Sequence, residues 1–227
     1  TVMALYAALI GAAVPDAMGH ILIASIISLP ASITIAKIMI PETAAVTAAE
    51  MTAVETAASP MDAVTKGTLQ GVELLLNIIA MLIVLVALVT LANLMLGFLP
   101  EVFGEPVSLQ RLMGLFMAPF CWMMGVPWEE SAAAGALMGT KTIFNELMAY
   151  IDMSRLPAGT LGPRSLLIMT YGMCGFANPG SLGIMVGGMG TMAPERRSEI
   201  AALGLRSLVS GTLSSCTLGC VIGMIGP

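Results

Sequence analysis

The sequence predicts an all-α, polytopic membrane protein that carries a re-entrant helical hairpin and a discontinuous transmembrane helix. Three observations predict it. Of the 227 residues, 57% are hydrophobic and 10% charged, whereas a soluble domain carries about 25% charged residues. A surface so poor in charge aggregates in water, so the solvent that suits this chain is lipid. Several apolar runs approach or exceed the roughly 20 residues needed to cross about 30 Å of hydrocarbon. Two of the later runs, however, contain proline and glycine, and the first of them carboxylates as well, where an uninterrupted lipid-facing helix has none, and irregular backbone at membrane depth is tolerated only against protein or a watery cavity. The 24 glycines fit the same picture, because glycine lets helix backbones approach closely in membranes.

Taken in order, residues 1–40 hold the end of one transmembrane helix (1–14) and a second, full span (21–40) interrupted by Pro30. The chain opens at Thr1 inside an apolar run, without an initiator Met or a signal-peptide pattern, and reads as a fragment of a longer protein. Residues 41–66 form an exposed linker rich in Ala, Thr and Glu, with Glu42, Glu50, Glu55 and Asp62 holding it in water. The main region is 67–227. A short amphipathic helix over 61–72 suits the membrane interface. The run 73–99 is the cleanest span; its Asn77 and Asn93 are the kind of polar side chain that bonds a neighbouring helix or touches cargo.

Residues 109–151 read as the re-entrant hairpin. One short piece, 109–126, is broken by Pro119 and Pro127; a second, 128–151, carries Glu129, Glu130, Lys141 and Glu146 in an otherwise apolar pattern. Residues 164–192 form the discontinuous helix, unwound midway by Asn178-Pro179-Gly180, since proline lacks an N–H and glycine is a poor helix former. Residues 199–226 are the final span. The Lys/Arg bias puts Lys37, Lys66, Arg196 and Arg197 on the cytoplasmic side and the C-terminus outside, with Arg111, Arg155 and Arg164 opposite.

A net charge of −5 without a basic run excludes a nucleic-acid surface. Cys121, Cys174, Cys216 and Cys220 lie in apolar runs and read as small buried residues rather than metal ligands. No nucleotide-binding loop, HExxH or nucleophile elbow is present, so no catalytic residue, metal or cofactor is expected.

Two features point to a binding site. Glu146, in KTIFNELMAY, is a carboxylate at membrane depth; such a group is costly and usually faces a water-filled cavity or an ion or substrate path. Its structural alternative is pairing with Lys141 or capping a neighbouring helix. The break Phe176-Ala177-Asn178-Pro179-Gly180-Ser181 offers a donor and an acceptor from Asn178 and a hydroxyl from Ser181, a set that suits a neutral polyhydroxylated ligand. Phe176 adds an apolar or stacking wall. The alternative is a packing kink. Glu129 and Glu130 read as helix-start residues, His20 as interfacial, and Gly183/Gly187 and Gly219/Gly223 as small-xxx-small packing pairs.

The segments GVPWEESAAAGALMGTKTIFNELMAY and TYGMCGFANPGSLGIMVGGMGTMAPERRSEIAALGLRSLVSGTL, with HILIASIISLPASITIAKIMIPET before the linker, resemble the concentrative nucleoside transporter family. The resemblance implies half of an inverted-repeat transporter fold, a homotrimer with one cargo path per protomer, a multi-pass place in the plasma membrane (the inner membrane of a bacterium), and symport of nucleosides coupled to sodium or protons. It maps Glu146, Asn178 and Ser181 to ribose contacts and Phe176 to a position near the cargo. In the empty site these groups, if unpaired, need hydration, which implies a water-filled cavity. Pro179 and Gly180 depart from the family pattern after FAN. The family's first hairpin and its sodium site have no counterpart in these residues. The competing readings are a channel-like pore and a structural membrane subunit, neither with coupled transport.

Overall fold

The computed structural model describes residues 2–43, 57–101 and 106–226. Among them there are nine α-helices, one 3-10 turn and no strand. They are α1 Val2–Ile10, α2 Ala17–Met39, α3 Pro60–Leu96, α4 Leu109–Met123, α5 Trp128–Ile143, α6 Glu146–Ser154, α7 Pro163–Met173, α8 Pro179–Met192, the 3-10 turn Pro194–Arg196, and α9 Arg197–Ile225. Three are long and apolar enough to cross a membrane: α2, the Ile79–Leu96 part of α3, and α9.

Four of the helix starts are written in capping residues. Ser59, Ser108, Asn145 and Asn178 sit in extended backbone, and each side chain accepts a hydrogen bond from the N–H three residues on, at Asp62, Arg111, Met148 and Ser181. Such a side chain satisfies a donor that the first turn leaves orphaned. Pro60, Pro163 and Pro179 each open a helix, where proline's missing N–H costs nothing.

Helices α4 and α5 pack antiparallel, backbone against backbone. A Cβ added to Gly135 would strike the Gly114 carbonyl, and one on Gly139 the Gln110 carbonyl. The turn between them passes through Gly125 at φ 102°, a conformation that glycine adopts without the Cβ penalty. One core gathers α1, α2, α4, α5, α6, α7 and α9 around Ile10, Ala24, Met117, Cys121, Met138, Tyr150, Ile168, Met173 and Leu218. Helix α3 stands apart from it, meeting the rest chiefly through α8 and α4; of its described side chains only Val89 is buried.

Several expectations change. Pro30 and Pro119 lie inside continuous helices. Around Pro30 the hydroxyls of Ser25, Ser28 and Thr34 bond back to carbonyls about one turn earlier, and a membrane helix tolerates a single proline. The interfacial helix 61–72 and the span 73–99 are one 37-residue helix ending at Leu96, because Gly67 and Gly71 weaken a helix without breaking it. The linker 41–66 gives way to helix after Ser59, and its residues 44–56 lie outside the described residues. The segment 128–151 is two helices rather than one, separated at Phe144 and Asn145. The gap in the discontinuous helix falls at 174–178, ahead of the predicted point; Pro179 and Gly180 open α8 instead of unwinding it.

Candidate functional site

The two helix gaps meet. Glu146 is the first residue of α6, capped by Asn145, where the positive end of the helix dipole favours a carboxylate. Asn178 is the cap of α8. Its Nδ2 donates to Glu146 Oε2 at 3.4 Å, a long bond, and Tyr6 of α1 donates to Glu146 Oε1 at 2.6 Å, a short one. Glu146 and Asn178 are each 3% exposed, so neither group relies on bulk water.

Tyr6 is fixed in turn. Its ring lies 4.9 Å from that of Tyr150, one turn beyond Glu146, and Tyr150 Oη donates to the Thr170 carbonyl of α7 at 2.8 Å. Three helices thereby hold one carboxylate.

At the start of α8, Asn178 and Ser181 form a reciprocal capping box. Asn178 Oδ1 accepts from the Ser181 N–H at 2.8 Å, and Ser181 Oγ accepts from the Asn178 N–H at 3.1 Å. Ser181 Oγ also lies 2.7 Å from the Phe176 carbonyl and 2.8 Å from that of Asn178, the acceptors open to its proton. The structure thus brings Glu146, Asn178 and Ser181 together in one chain of contacts. Phe176 contributes only its carbonyl to it; the residue itself is 68% exposed.

The expected unpaired cavity is not what these contacts describe: the polar groups pair with one another. Nor does Glu146 form an ion pair with Lys141. Lys141, fully buried in the last turn of α5, donates to Ser215 Oγ of α9 at 3.1 Å. Glu130 reaches across to accept from the Gly162 N–H at 3.0 Å, so it staples the start of α5 to that of α7. Asn93 bonds the Leu109 N–H and Gln110, both at 2.9 Å, tying α3 to α4. His20 Nδ1 and Tyr171 Oη are 3.0 Å apart, which makes His20 a packing contact between α2 and α7 rather than an interfacial residue alone. Gly219 and Gly223 make room for Met124. All four cysteines are free thiols, and among the described residues no three His, Cys, Asp or Glu side chains gather as a metal set.

Sequence reasoning missed Tyr6 and Ser215. Tyr6 lies 140 residues from its partner, and only its hydroxyl in the apolar run VMALYAALI hinted at one. The site as a whole is a buried carboxylate flanked by an amide and hydroxyls, a set able to bind a neutral molecule through paired hydroxyl groups.

The comparisons with known proteins agree in kind. A family profile described as "Na+ dependent nucleoside transporter C-terminus" matches residues 20–223. The chain is 36% identical over 210 residues to an uncharacterized transporter, YutK, of Bacillus subtilis, covering 90% of this chain and 52% of that protein. It is 36% identical over 225 residues to human solute carrier family 28 member 3, covering 91% of this chain and 33% of that protein. A structure of CNTnw in an inward-facing substrate-bound state superposes with a TM-score of 0.76 at 31% identity, over 96% of this chain and 52% of that one. The chain therefore spans about half the length of the bacterial relative and a third of the human one.

Proposed function

The chain belongs to the Na+-dependent nucleoside transporter family, whose C-terminal region it matches, and on that premise we propose that it forms the ribose-binding half of an ion-coupled nucleoside symporter. The family is one of transporters, not enzymes. The observation that carries the reading is the convergence of Glu146, Asn178 and Ser181 where the α5–α6 and α7–α8 gaps meet. Discontinuous helices in transporters expose dipole ends and free backbone groups to cargo at membrane depth.

The chemistry fits a ribose. A carboxylate accepts from two vicinal hydroxyls, and an amide and a serine hydroxyl complete the polar set. Tyr6 holds Oε1 and leaves Oε2 to a weak, 3.4 Å partner, so Oε2 is the oxygen a cargo hydroxyl reaches at least expense. In this reading α4 and α5 enter and leave the membrane by the same face as a re-entrant hairpin, and Phe176 borders the cargo. The whole protein repeats the arrangement in inverted form, assembles as a homotrimer in the plasma membrane, and takes its coupling ion, sodium or proton, through the part outside this chain. The family description favours sodium.

The test is uptake of labelled uridine by the full-length protein in proteoliposomes, under a sodium gradient and then a proton gradient. One gradient drives uptake, and Glu146→Gln lowers uptake efficiency roughly 100-fold, the cost of losing a bond to a charged group in a dry site. Flux of uridine or ions with no fixed stoichiometry would instead mark a pore. Uptake unchanged in Glu146→Gln would remove the ribose reading.

A further inference from the structure

The interior holds one group that the ribose reading does not use. Lys141 is 0% exposed, yet its only hydrogen-bond partner among the described residues is Ser215 Oγ, whose own proton goes to the Gly211 carbonyl at 3.0 Å. An ammonium so placed is costly unless opposite charge compensates it. The compensation is arranged by the helix ends. Lys141 lies in the last turn of α5, where the dipole is negative. The Glu146 carboxylate at the start of α6 lies within electrostatic reach of it. The α5–α6 gap therefore separates opposite dipole ends, each matched by a side chain of opposite sign: Lys141 behind it and Glu146 ahead. The two charges are not in ion-pair contact, so each keeps its own hydrogen bonds, Lys141 to Ser215 and Glu146 to Tyr6 and Asn178. Next to Lys141 and Ser215 in sequence, the hydroxyls of Thr142 and Ser214 are buried with no partner among the described residues.

Resting on the ribose-binding reading, we propose that Lys141 is a tethered counter-cation. Its ammonium stands where a dissociable ion would otherwise have to bind, keeping Glu146 charged and this half of the site neutral overall. The reasoning is one of charge balance. A lone buried carboxylate in lipid must either take a proton or recruit a cation. With a fixed ammonium behind the α5–α6 gap it does neither, so a neutral cargo meets an ionised acceptor. The coupling ion is then bound elsewhere in the protein and the ribose half adds none. Removing the tethered charge should open a place for a small monovalent cation beside Ser215, whose hydroxyl is an oxygen ligand of the type that hard cations prefer.

The experiment compares full-length wild type, Lys141→Gln, Lys141→Arg, Glu146→Gln and the double variant Lys141→Gln/Glu146→Gln. Thermal unfolding in detergent reads the charge coupling without any transport. Lys141→Gln lowers the melting temperature in the wild-type background and much less in the Glu146→Gln background. In proteoliposomes, Lys141→Gln raises the half-saturating uridine concentration about tenfold or more, and rising sodium restores uptake. The number of cations moved per uridine, read from the reversal potential, rises by one. Lys141→Arg keeps the wild-type ratio. If Lys141→Gln does not fold, the double variant folds better. The proposal is overturned if the two substitutions destabilise additively, or if the folded Lys141→Gln protein keeps the wild-type cation ratio and cation dependence. Failure of the ribose reading shows separately, as normal uridine affinity in Glu146→Gln alone.

Discussion

Helix α3 and the segment α4–α8 are built from the same apolar residues and behave oppositely. Helix α3 runs 37 residues without a gap, with Val89 its one buried described side chain. From Leu109 to Met192 the chain breaks into five helices, none longer than 16 residues, and it is here that the buried Lys141, Glu146 and Asn178 are found. A membrane helix satisfies its own backbone whatever lies beside it, so length and apolarity suffice for α3. Short helices expose orphan N–H and C=O groups at every end, and those ends must be buried against protein. Polar chemistry and helix gaps thus arise together: each gap supplies dipole ends that make a charged side chain affordable. The difference between the two regions teaches that in lipid a gap, more than a polar residue on its own, marks where function is housed.

The contrast can be attacked directly, with the full-length protein's thermal unfolding in detergent as the common measurement. Gly139→Val should have the largest effect. Its Cβ has no space beside the Gln110 carbonyl, and overpacking of a rigid contact costs about 3 kcal/mol or more; a stable, active variant would mean that α4 and α5 are not packed backbone to backbone. Asn93→Ala cuts the tie between the two regions and leaves the Leu109 N–H without its acceptor. A loss of about 1 kcal/mol is expected, and a null result would mean that α3 is held to the hairpin by apolar contact alone. Gly71→Ala should have the smallest effect and the opposite sign. Its added methyl meets nothing within 4 Å, so helix propensity alone should raise stability, by up to about 1 kcal/mol. Destabilisation there would show that this face of α3 is covered.

What the sequence revealed follows the same division. Apolar length located α2, α3 and α9, since crossing lipid is a demand on composition. The gap before α8 and the burial of Glu146 were legible because proline, glycine and a carboxylate are rare in such surroundings. Gap positions were less so. Pro179 marked a helix start, not a break, because at a first turn its missing N–H is harmless. Pro30 and Pro119 marked no break, because both helices run on through the loss of a single backbone bond. The gap at Phe144 carries no proline or glycine at all, and Asn145, its cap, was the one local sign. The partners of the site, Tyr6 and Ser215, were out of reach: hydrogen bonds spanning 140 and 74 residues leave no trace in local spacing.

The capping box at the head of α8 has a consequence for selectivity. Asn178 and Ser181 each already hold the other's N–H, and the Ser181 proton already has carbonyls to choose from. A sugar hydroxyl arriving at Ser181 therefore does not add a bond to a vacant group; it swaps one partner for another. The gain from such a trade is the small difference between two hydrogen bonds, so a single hydroxyl wins little, whereas a rigid pair that engages Ser181 and the carboxylate together collects both differences for one loss of motional freedom. Under the proposed ribose reading, the local fold acts as an incumbent ligand that only a competitor with its hydroxyls in the right stereochemistry displaces.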